Sequence, residues 1–176
     1  DISKIIDAIY SILPLLKKND LIILESTSPV GTTEKISKII HDNTSFKNNE
    51  IHVAYCPERV LPGNIFNELR RNDRVIGGLN EESSHKAKDL YSNICDGELF
   101  VTNTSTAEMV KLSENAFRDV NIAFANELSM VCDSINIDVN ELINLSNKHP
   151  RVNILNPGCG VGGHCIAIDP WFIASQ

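Results

Sequence analysis

The sequence lacks the features that would place the chain in a membrane, on nucleic acid or in an oxidising compartment. Every apolar run falls well short of the ~20 residues that cross a bilayer, and no signal peptide opens the sequence. Lys and Arg number 16 against 23 Asp and Glu, and the net charge of −7 argues against non-specific nucleic-acid binding. The five cysteines include no C-x-x-C pair, which predicts reduced thiols in a cytoplasmic protein and no metal site.

Short apolar runs alternate with amphipathic helical patterns through the first hundred residues. Helices are predicted over 2–18, from Thr32 to about Ile40 and over 81–94, and strands over 21–24, 51–55, 73–78 and 99–102. Because the strand over 21–24 is wholly apolar, we expect both sheet faces to be covered there. The order therefore predicts an α/β fold with a Rossmann-like parallel sheet, whose ligands lie at the carboxyl ends of the strands.

The pattern changes to all-helical near residue 104. Ser105 and Glu108 fit a capping box, and about thirty residues without proline or glycine follow. Apolar residues recur there every seven positions, at Val110, Phe117, Phe124 and Val131. The pattern predicts one long helix that forms the spine of a helical domain and a subunit interface. A short helix capped by Asp138 and a polar loop from Lys148 to Asp169 are predicted after it.

A glycine-rich loop near the C-terminus carries the most reactive candidate residue. Four glycines at positions 158, 160, 162 and 163 precede Cys165, and Pro170 just beyond suits the first turn of a helix. A thiol beside a helix start is favoured as the thiolate, which is the nucleophilic form. The alternative is a structural cysteine in a turn.

Three further positions have both a functional and a structural interpretation. One face of the long helix carries Glu108, Lys111, Asn115 and Arg118, which form either a solvated stripe or a proton-exchanging lysine with an amide oxyanion donor. Glu58 follows a buried strand and is either a loop carboxylate or a general base. Thr27 follows the first strand as a turn hydroxyl, a helix cap or a site residue.

Four ordered segments carry a resemblance to a known family. They are Glu25–Gly31 (ESTSPVG), Cys56–Gly63 (CPERVLPG), Ala107–Phe117 (AEMVKLSENAF) and Gly160–Phe172 (GVGGHCIAIDPWF). Together they resemble the nucleotide-sugar 6-dehydrogenases, the UDP-glucose/UDP-N-acetylmannosamine dehydrogenase family. The CPERVLPG and GGHCIA variants resemble the branch that acts on UDP-N-acetyl-D-mannosamine more than the UDP-glucose branch.

The resemblance implies a division of the chain into two domains. Residues 1–103 correspond to the latter part of the NAD-binding Rossmann-like domain, and residues 104–176 to an all-α central dimerisation domain with the catalytic cysteine loop. The G-x-G-x-x-G motif that opens the family's first domain does not occur in residues 1–103. We therefore expect a fragment that lacks this motif and the C-terminal UDP-binding domain, and that by itself is inactive.

The resemblance also implies an activity, a cofactor and a set of site residues. The family oxidises the C6 alcohol of a UDP-sugar with NAD in two hydride transfers, here with UDP-ManNAc as the favoured substrate, through a thiohemiacetal and a thioester on Cys165. Lys111 and Asn115 would stabilise the oxyanions, Glu58 would act as base or relay, and Asp169 and Thr27 would position water.

The cofactor side would be formed by Ser26, Thr27 and Glu58. The substrate side would be formed by Arg59, Val60, Lys111, Asn115, Arg118, His149, Arg151, Gly160, Gly162 and Gly163. Cys159 departs from the family, which more often has proline there.

Two alternative functions stay open on the sequence. A single-step hydroxyacid dehydrogenase of the 6-phosphogluconate type also has a lysine and an asparagine one turn apart on a long helix, and needs no thiol. A non-catalytic dimerisation module would use the long helix as its interface and Cys165 only as a structural residue.

Overall fold

The structure is a computed structural model that describes residues 2–47, 49–60, 63–161 and 166–175. The first part of the chain alternates helices and strands: α1 (Ser3–Ile12), a 3-10 turn (Leu13–Leu15), β1 (Leu21–Leu24), α2 (Thr32–Asn43), β2 (His52–Tyr55), α3 (Ile65–Arg71), β3 (Arg74–Gly78), α4 (Glu81–Ser92) and β4 (Leu99–Asn103). The second part is helical: α5 (Thr104–Ser134), α6 (Val139–Ser146) and α7 (Asp169–Ala174).

The four strands form one sheet in the order β1-β2-β3-β4. β1 pairs with β2 in parallel, β3 pairs with β2 antiparallel, and β4 pairs with β3 in parallel. The predicted α/β class is confirmed. The reversed direction of β3 was not predicted, because the apolar pattern of a strand does not encode its direction.

Successive residues of β2 point to opposite faces of the sheet, as the two-residue period of a strand requires. Val53 and Tyr55 join a core with α1 and α2, while Ala54 and Cys56 join a second core with α4. All of these side chains are buried. Both sheet faces are therefore covered, which explains why β2 is apolar at consecutive positions.

Two details of the first part differ from the sequence-based expectation. The first helix ends at Ile12 rather than near residue 18, because Pro14 cannot continue the α-helical hydrogen bonds. Helix α3 was not predicted at all. None of its residues is buried, and Phe66 is 90% exposed, so it shows no apolar face for a periodic pattern to reveal.

The long helix is confirmed, but the capping box at its start is wrong. α5 begins at Thr104, and the Asn103 side chain accepts from the Thr106 N–H at 2.8 Å. Ser105 therefore lies inside the first turn rather than before it. The Glu108 carboxylate does not fold back on its own helix, and instead reaches the start of α2.

The chain divides into two compact units, Asp1–Lys111 and Leu112–Gln176. The first unit contains the sheet and the first turns of α5, and the second contains the rest of α5 with α6 and α7. Across the residues that the structure describes, no helix combines the length and apolar character needed to cross a bilayer.

Gly77 provides a test of the packing between β3 and the start of α5. A Cβ atom built there would lie 2.4 Å from the Asn103 carbonyl oxygen and 2.8 Å from Ala107 Cβ. We expect Gly77→Ala to lower the free energy of unfolding by about 1–3 kcal/mol, since backbone must move to make room. The control is Gly158→Ala, where an added Cβ meets nothing within 4 Å. Urea denaturation should leave the control within about 0.5 kcal/mol of the unchanged chain, and equal losses for the two variants would contradict the packing argument.

Candidate active site

The turn between β1 and α2 carries the residues predicted for the cofactor side. Ser26 is exposed, Thr27 is half-buried and Ser28 is buried at the carboxyl end of β1. The turn closes at Gly31, whose φ of +90° is a left-handed conformation that glycine adopts without strain. The buried Ser28 hydroxyl has no hydrogen-bond partner among the described residues. Sequence reasoning did not single out Ser28, because a serine in a polar turn gives no sign of burial.

The four helix-face residues do not form a solvated stripe. Glu108 is 0% exposed, Asn115 is 5% exposed, Lys111 is half-buried and Arg118 is exposed. The interpretation of Glu108 as a surface carboxylate is therefore wrong. Lys111 and Asn115 are four residues apart on the continuous α5, so the helix itself sets them about one turn apart.

Lys111 contacts the segment that follows β2. Its ammonium donates to the Glu58 backbone carbonyl at 2.8 Å. The exposed Glu58 carboxylate accepts from the Val60 N–H, and the Glu58 N–H donates to the Glu25 carbonyl at 3.2 Å. The predicted pair of Lys111 and Glu58 is therefore brought together, through the backbone carbonyl of the glutamate rather than its carboxylate.

Arg59 and Val60 continue the same segment, and both are half-buried. The Arg59 guanidinium donates to the Asp73 carbonyl at 3.3 Å, and the Arg59 carbonyl accepts from the Asn72 amide at 3.2 Å. These contacts tie the segment to the residues that lead into β3. Asn72 was not predicted as part of the site.

A polar cluster adjoins this segment, and its members are buried except for the exposed Glu25. The Tyr91 hydroxyl donates to Glu25 at 2.6 Å, and the Arg74 guanidinium lies 4.6 Å from the Tyr91 ring centroid and 3.9 Å from Cys56 Sγ. Burial raises the pKa of the Cys56 thiol, and burial together with the bond to Glu25 raises the pKa of Tyr91. Cys56 is therefore held as a neutral thiol and is a poor nucleophile. Four separate elements contribute to the cluster, so no local sequence pattern reveals it.

The second unit brings Asn115 and Asp169 together. The Asn115 amide donates to the Asp169 carboxylate at 2.5 Å, and both side chains are buried. Asp169 is the first residue of α7, and Pro170 follows it as predicted. Two predicted site residues that are 54 positions apart in the sequence therefore form a buried pair.

Asparagine side chains hold the loop that precedes the glycine run. Asn121 accepts from the Leu155 N–H at 3.2 Å and Asn126 from the Gly158 N–H at 2.8 Å, both from α5. Asn147 bonds both the N–H and the carbonyl of Ile154. Sequence reasoning missed these three residues. For Asn121 and Asn126, the signal that could have found them is the run of amide side chains along the long predicted helix, while Asn147, just after α6, carries no such signal.

The remaining predicted substrate residues lie on this loop or on α5. Arg118, His149 and Arg151 are exposed, and the Arg151 N–H donates to His149 Nδ1 at 3.3 Å. Gly160 is also exposed, with a left-handed φ of +123°. Gly162, Gly163 and Cys165 lie outside the described residues.

Of the four cysteines that the structure describes, only Cys159 is exposed, while Cys56, Cys95 and Cys132 are buried. Over the same described residues, no group of three or more His, Cys, Asp or Glu side chains has the arrangement of a metal site. Taken unit by unit, the predicted site residues provide an amine, a carboxylate and a guanidinium in the first unit and an amide, a carboxylate and guanidinium groups in the second, which are groups that suit acid–base chemistry and anionic ligands.

Comparison with known proteins gives the same family along nearly the whole chain. Residues 1–95 match the UDP-glucose/GDP-mannose dehydrogenase family, NAD binding domain, and residues 105–176 match the central domain of the same family. The curated relatives include the UDP-N-acetyl-D-mannosamine dehydrogenases of Yersinia pestis and Escherichia coli K12. The Yersinia pestis protein is 59% identical, and the match covers 96% of the chain and 42% of the relative's length. The Escherichia coli protein is 55% identical, and the match covers 100% of the chain and 44% of the relative's length.

Solved structures agree with these relatives. The UDP-D-ManNAc dehydrogenase from Pyrococcus horikoshii has a TM-score of 0.97 and 46% identity, covering 100% of the chain and 42% of its own. The UDP-N-acetyl-mannosamine dehydrogenase from Staphylococcus aureus has a TM-score of 0.88 and 49% identity, and the match covers 99% of the chain and 43% of the Staphylococcus aureus protein in that structure. The chain thus spans about two fifths of the length of the relatives it matches. It belongs to the UDP-glucose/GDP-mannose dehydrogenase family.

Proposed function

We propose that the protein carrying this chain oxidises the C6 alcohol of UDP-ManNAc to the carboxylate, with water as the source of the second oxygen and two NAD+ reduced. The observation that carries the proposal is identity of 52–60% to proteins named UDP-N-acetyl-D-mannosamine dehydrogenase, extending over the full chain or nearly all of it. The motifs that sequence analysis singled out all fall within this match.

The turn after β1 has a surface suited to binding NAD. The exposed Ser26, the half-buried Thr27 and the unpartnered buried hydroxyl of Ser28 present polar groups at the carboxyl end of a parallel strand, where nucleotides bind in such sheets. Ser26, Thr27 and Glu58 would hold the nicotinamide side. When bound, NAD+ supplies the hydride acceptor for both oxidations.

The chain's own residues would supply the covalent chemistry. The Cys165 thiolate would attack the aldehyde produced by the first oxidation and form a thiohemiacetal. Loss of the second hydride leaves a thioester, and water then releases the carboxylate and returns the thiol. Glu58 would relay the proton from this water, and Asp169 and Thr27 would position it.

Lys111 and Asn115 would stabilise the negative charge that develops on the C6 oxygen in each step. The Asn115 amide nitrogen carries two hydrogens, and the bond to Asp169 uses one of them. The carboxylate therefore fixes the amide orientation and leaves the second N–H available to an oxyanion. Lys111, held by the Glu58 carbonyl, would add a positive charge and exchange a proton.

Arg59, the Val60 backbone, Arg118 and the loop from Gly160 through Gly163 would bind the UDP-sugar. His149 and Arg151 would contribute from the same loop or from a neighbouring subunit. The exposed arginines supply positive charge for a diphosphate on a chain whose net charge is −7.

Stoichiometry with the intact protein tests the reaction. We expect two NADH per UDP-ManNAc, and much slower turnover of UDP-GlcNAc and UDP-glucose. Cys165→Ser should stall after the first oxidation or lose activity, because a serine hydroxyl stays protonated where a thiol ionises and is a much weaker nucleophile. The matched control is Cys159→Ser, on the same loop, which should retain activity. A yield of one NADH per sugar would favour a single-step dehydrogenase, and carboxylate formed at the normal rate by Cys165→Ser would refute the role of Cys165.

We also propose that α5 forms the interface of a homodimer. Phe117, Phe124 and Val131 are spaced seven residues apart and are 65%, 53% and 53% exposed in the single chain. Their spacing puts them on one side of α5, so a second copy could cover them together.

Analytical ultracentrifugation of the intact protein checks this interface. We expect Phe124→Asp to weaken dimerisation at least tenfold, since burying a phenylalanine stabilises by about 1.5–3 kcal/mol. The control is Asp133→Lys, an exposed residue that helical spacing puts on the opposite side of α5. Dimerisation that is unchanged in Phe124→Asp would contradict the proposed interface.

A further inference from the structure

The carboxylate of Glu108 is buried at the point where α5 meets the turn after β1. It accepts from the Gly31 N–H at 2.6 Å, from the Thr33 N–H at 2.8 Å and from the Thr33 hydroxyl at 2.7 Å. The side chain is 0% exposed. A buried carboxylate is tolerated only where donors replace the lost water, and these three donors meet that requirement.

The location of these donors is specific. Gly31 precedes the first turn of the twelve-residue α2 and has no side chain with which to cap it. Glu108 therefore caps α2 from 75 to 77 residues away, and its negative charge lies where the helix dipole favours it. The contact joins the end of the Ser26–Gly31 turn to the second turn of α5.

The same part of α5 carries Lys111, three residues further along. Lys111 bonds the Glu58 carbonyl, so α5 contacts the segments that follow β1 and β2 through adjacent turns. The position of Thr27 relative to Lys111 thus depends on the Glu108 contact.

We propose that Glu108 is a positioning residue, which tethers the Ser26–Gly31 turn to α5 and thereby sets Thr27 in register with Lys111. The proposal rests on the dehydrogenase function proposed above for its catalytic consequence, while the tether itself does not depend on it. Glu108 does not contact the reacting atoms in this proposal.

Hydrogen exchange on the intact protein tests the tether without a measurement of activity. Glu108→Gln keeps the size of the side chain, but only the amide oxygen can accept a hydrogen bond. The NH2 group then faces either the Gly31 N–H or the Thr33 N–H, which are both donors. We expect the Gly31 and Thr33 amides, and those of the turn before them, to exchange at least tenfold faster in this variant. Unchanged exchange would overturn the proposal.

Steady-state kinetics of the intact protein test the consequence. We expect Glu108→Gln to lower kcat at least tenfold and to change the KM for the UDP-sugar less than threefold, because the substrate-binding residues are not altered. The control is Asp138→Ala, which removes a carboxylate that caps α6 through the Asn140 and Glu141 N–H groups. It should lose stability and keep kcat. If Glu108→Gln keeps kcat while its stability falls as in Asp138→Ala, Glu108 is only a helix cap and the positioning role is wrong.

Thr33→Val provides a milder variant should Glu108→Gln fold poorly. It removes only the hydroxyl donor and keeps the N–H bond, with nearly the same shape. We expect an intermediate fall in kcat of about threefold to fivefold, with the fold retained, and a kcat equal to the unchanged protein would overturn the proposal. If the protein without substitutions yields no NADH from UDP-sugars, the proposed function is refuted instead. The hydrogen-exchange result would then decide by itself whether Glu108 tethers the turn to α5.

Discussion

The structure depends on the bonds that fix the first turns of α5 to the sheet. Glu108 and Lys111 are one turn apart and bond the segments after β1 and β2, respectively. α5 runs from Thr104 to Ser134, 31 residues in all, without glycine or proline. Within the second unit, Asn115 of α5 bonds α7, and Asn121 and Asn126 bond the loop before it.

Polar contacts, rather than apolar packing, connect the predicted site residues, and those of Glu108 and Asn115 are buried. Glu108 bonds the start of α2, Lys111 bonds the Glu58 carbonyl, and Asn115 bonds Asp169. In each contact a hydrogen-bond donor meets an acceptor. Such groups are costly to bury unless their partners are in place, so they specify one arrangement of backbone and side chain. The apolar cores on the two sheet faces stabilise the first unit, and the polar contacts decide where the candidate site residues of each unit lie.

The elements with strong periodicity were predictable from the sequence, and the long-range contacts were not. β1, β2 and α5 are apolar runs or unbroken helical patterns, and each was predicted to within a few residues. Helix α3 was missed because it buries nothing, and the direction of β3 was missed because pairing is not a local property. Glu108 illustrates the limit best. Its spacing to Ser105 matches a capping box, but its partners are 75 and 77 residues away, and nothing in the local pattern distinguishes the two.

The central claim is that the Cys165 thiol becomes covalently acylated during the reaction. The most direct measurement is rapid acid quenching of the intact protein with UDP-ManNAc and NAD+, followed by peptide mass analysis. The account predicts that the peptide containing Cys165 gains the mass of the UDP-sugar acyl group, and that the Cys159→Ser variant gives the same adduct. Carboxylate product formed with no transient adduct on Cys165, or with the adduct on Cys159, would contradict it.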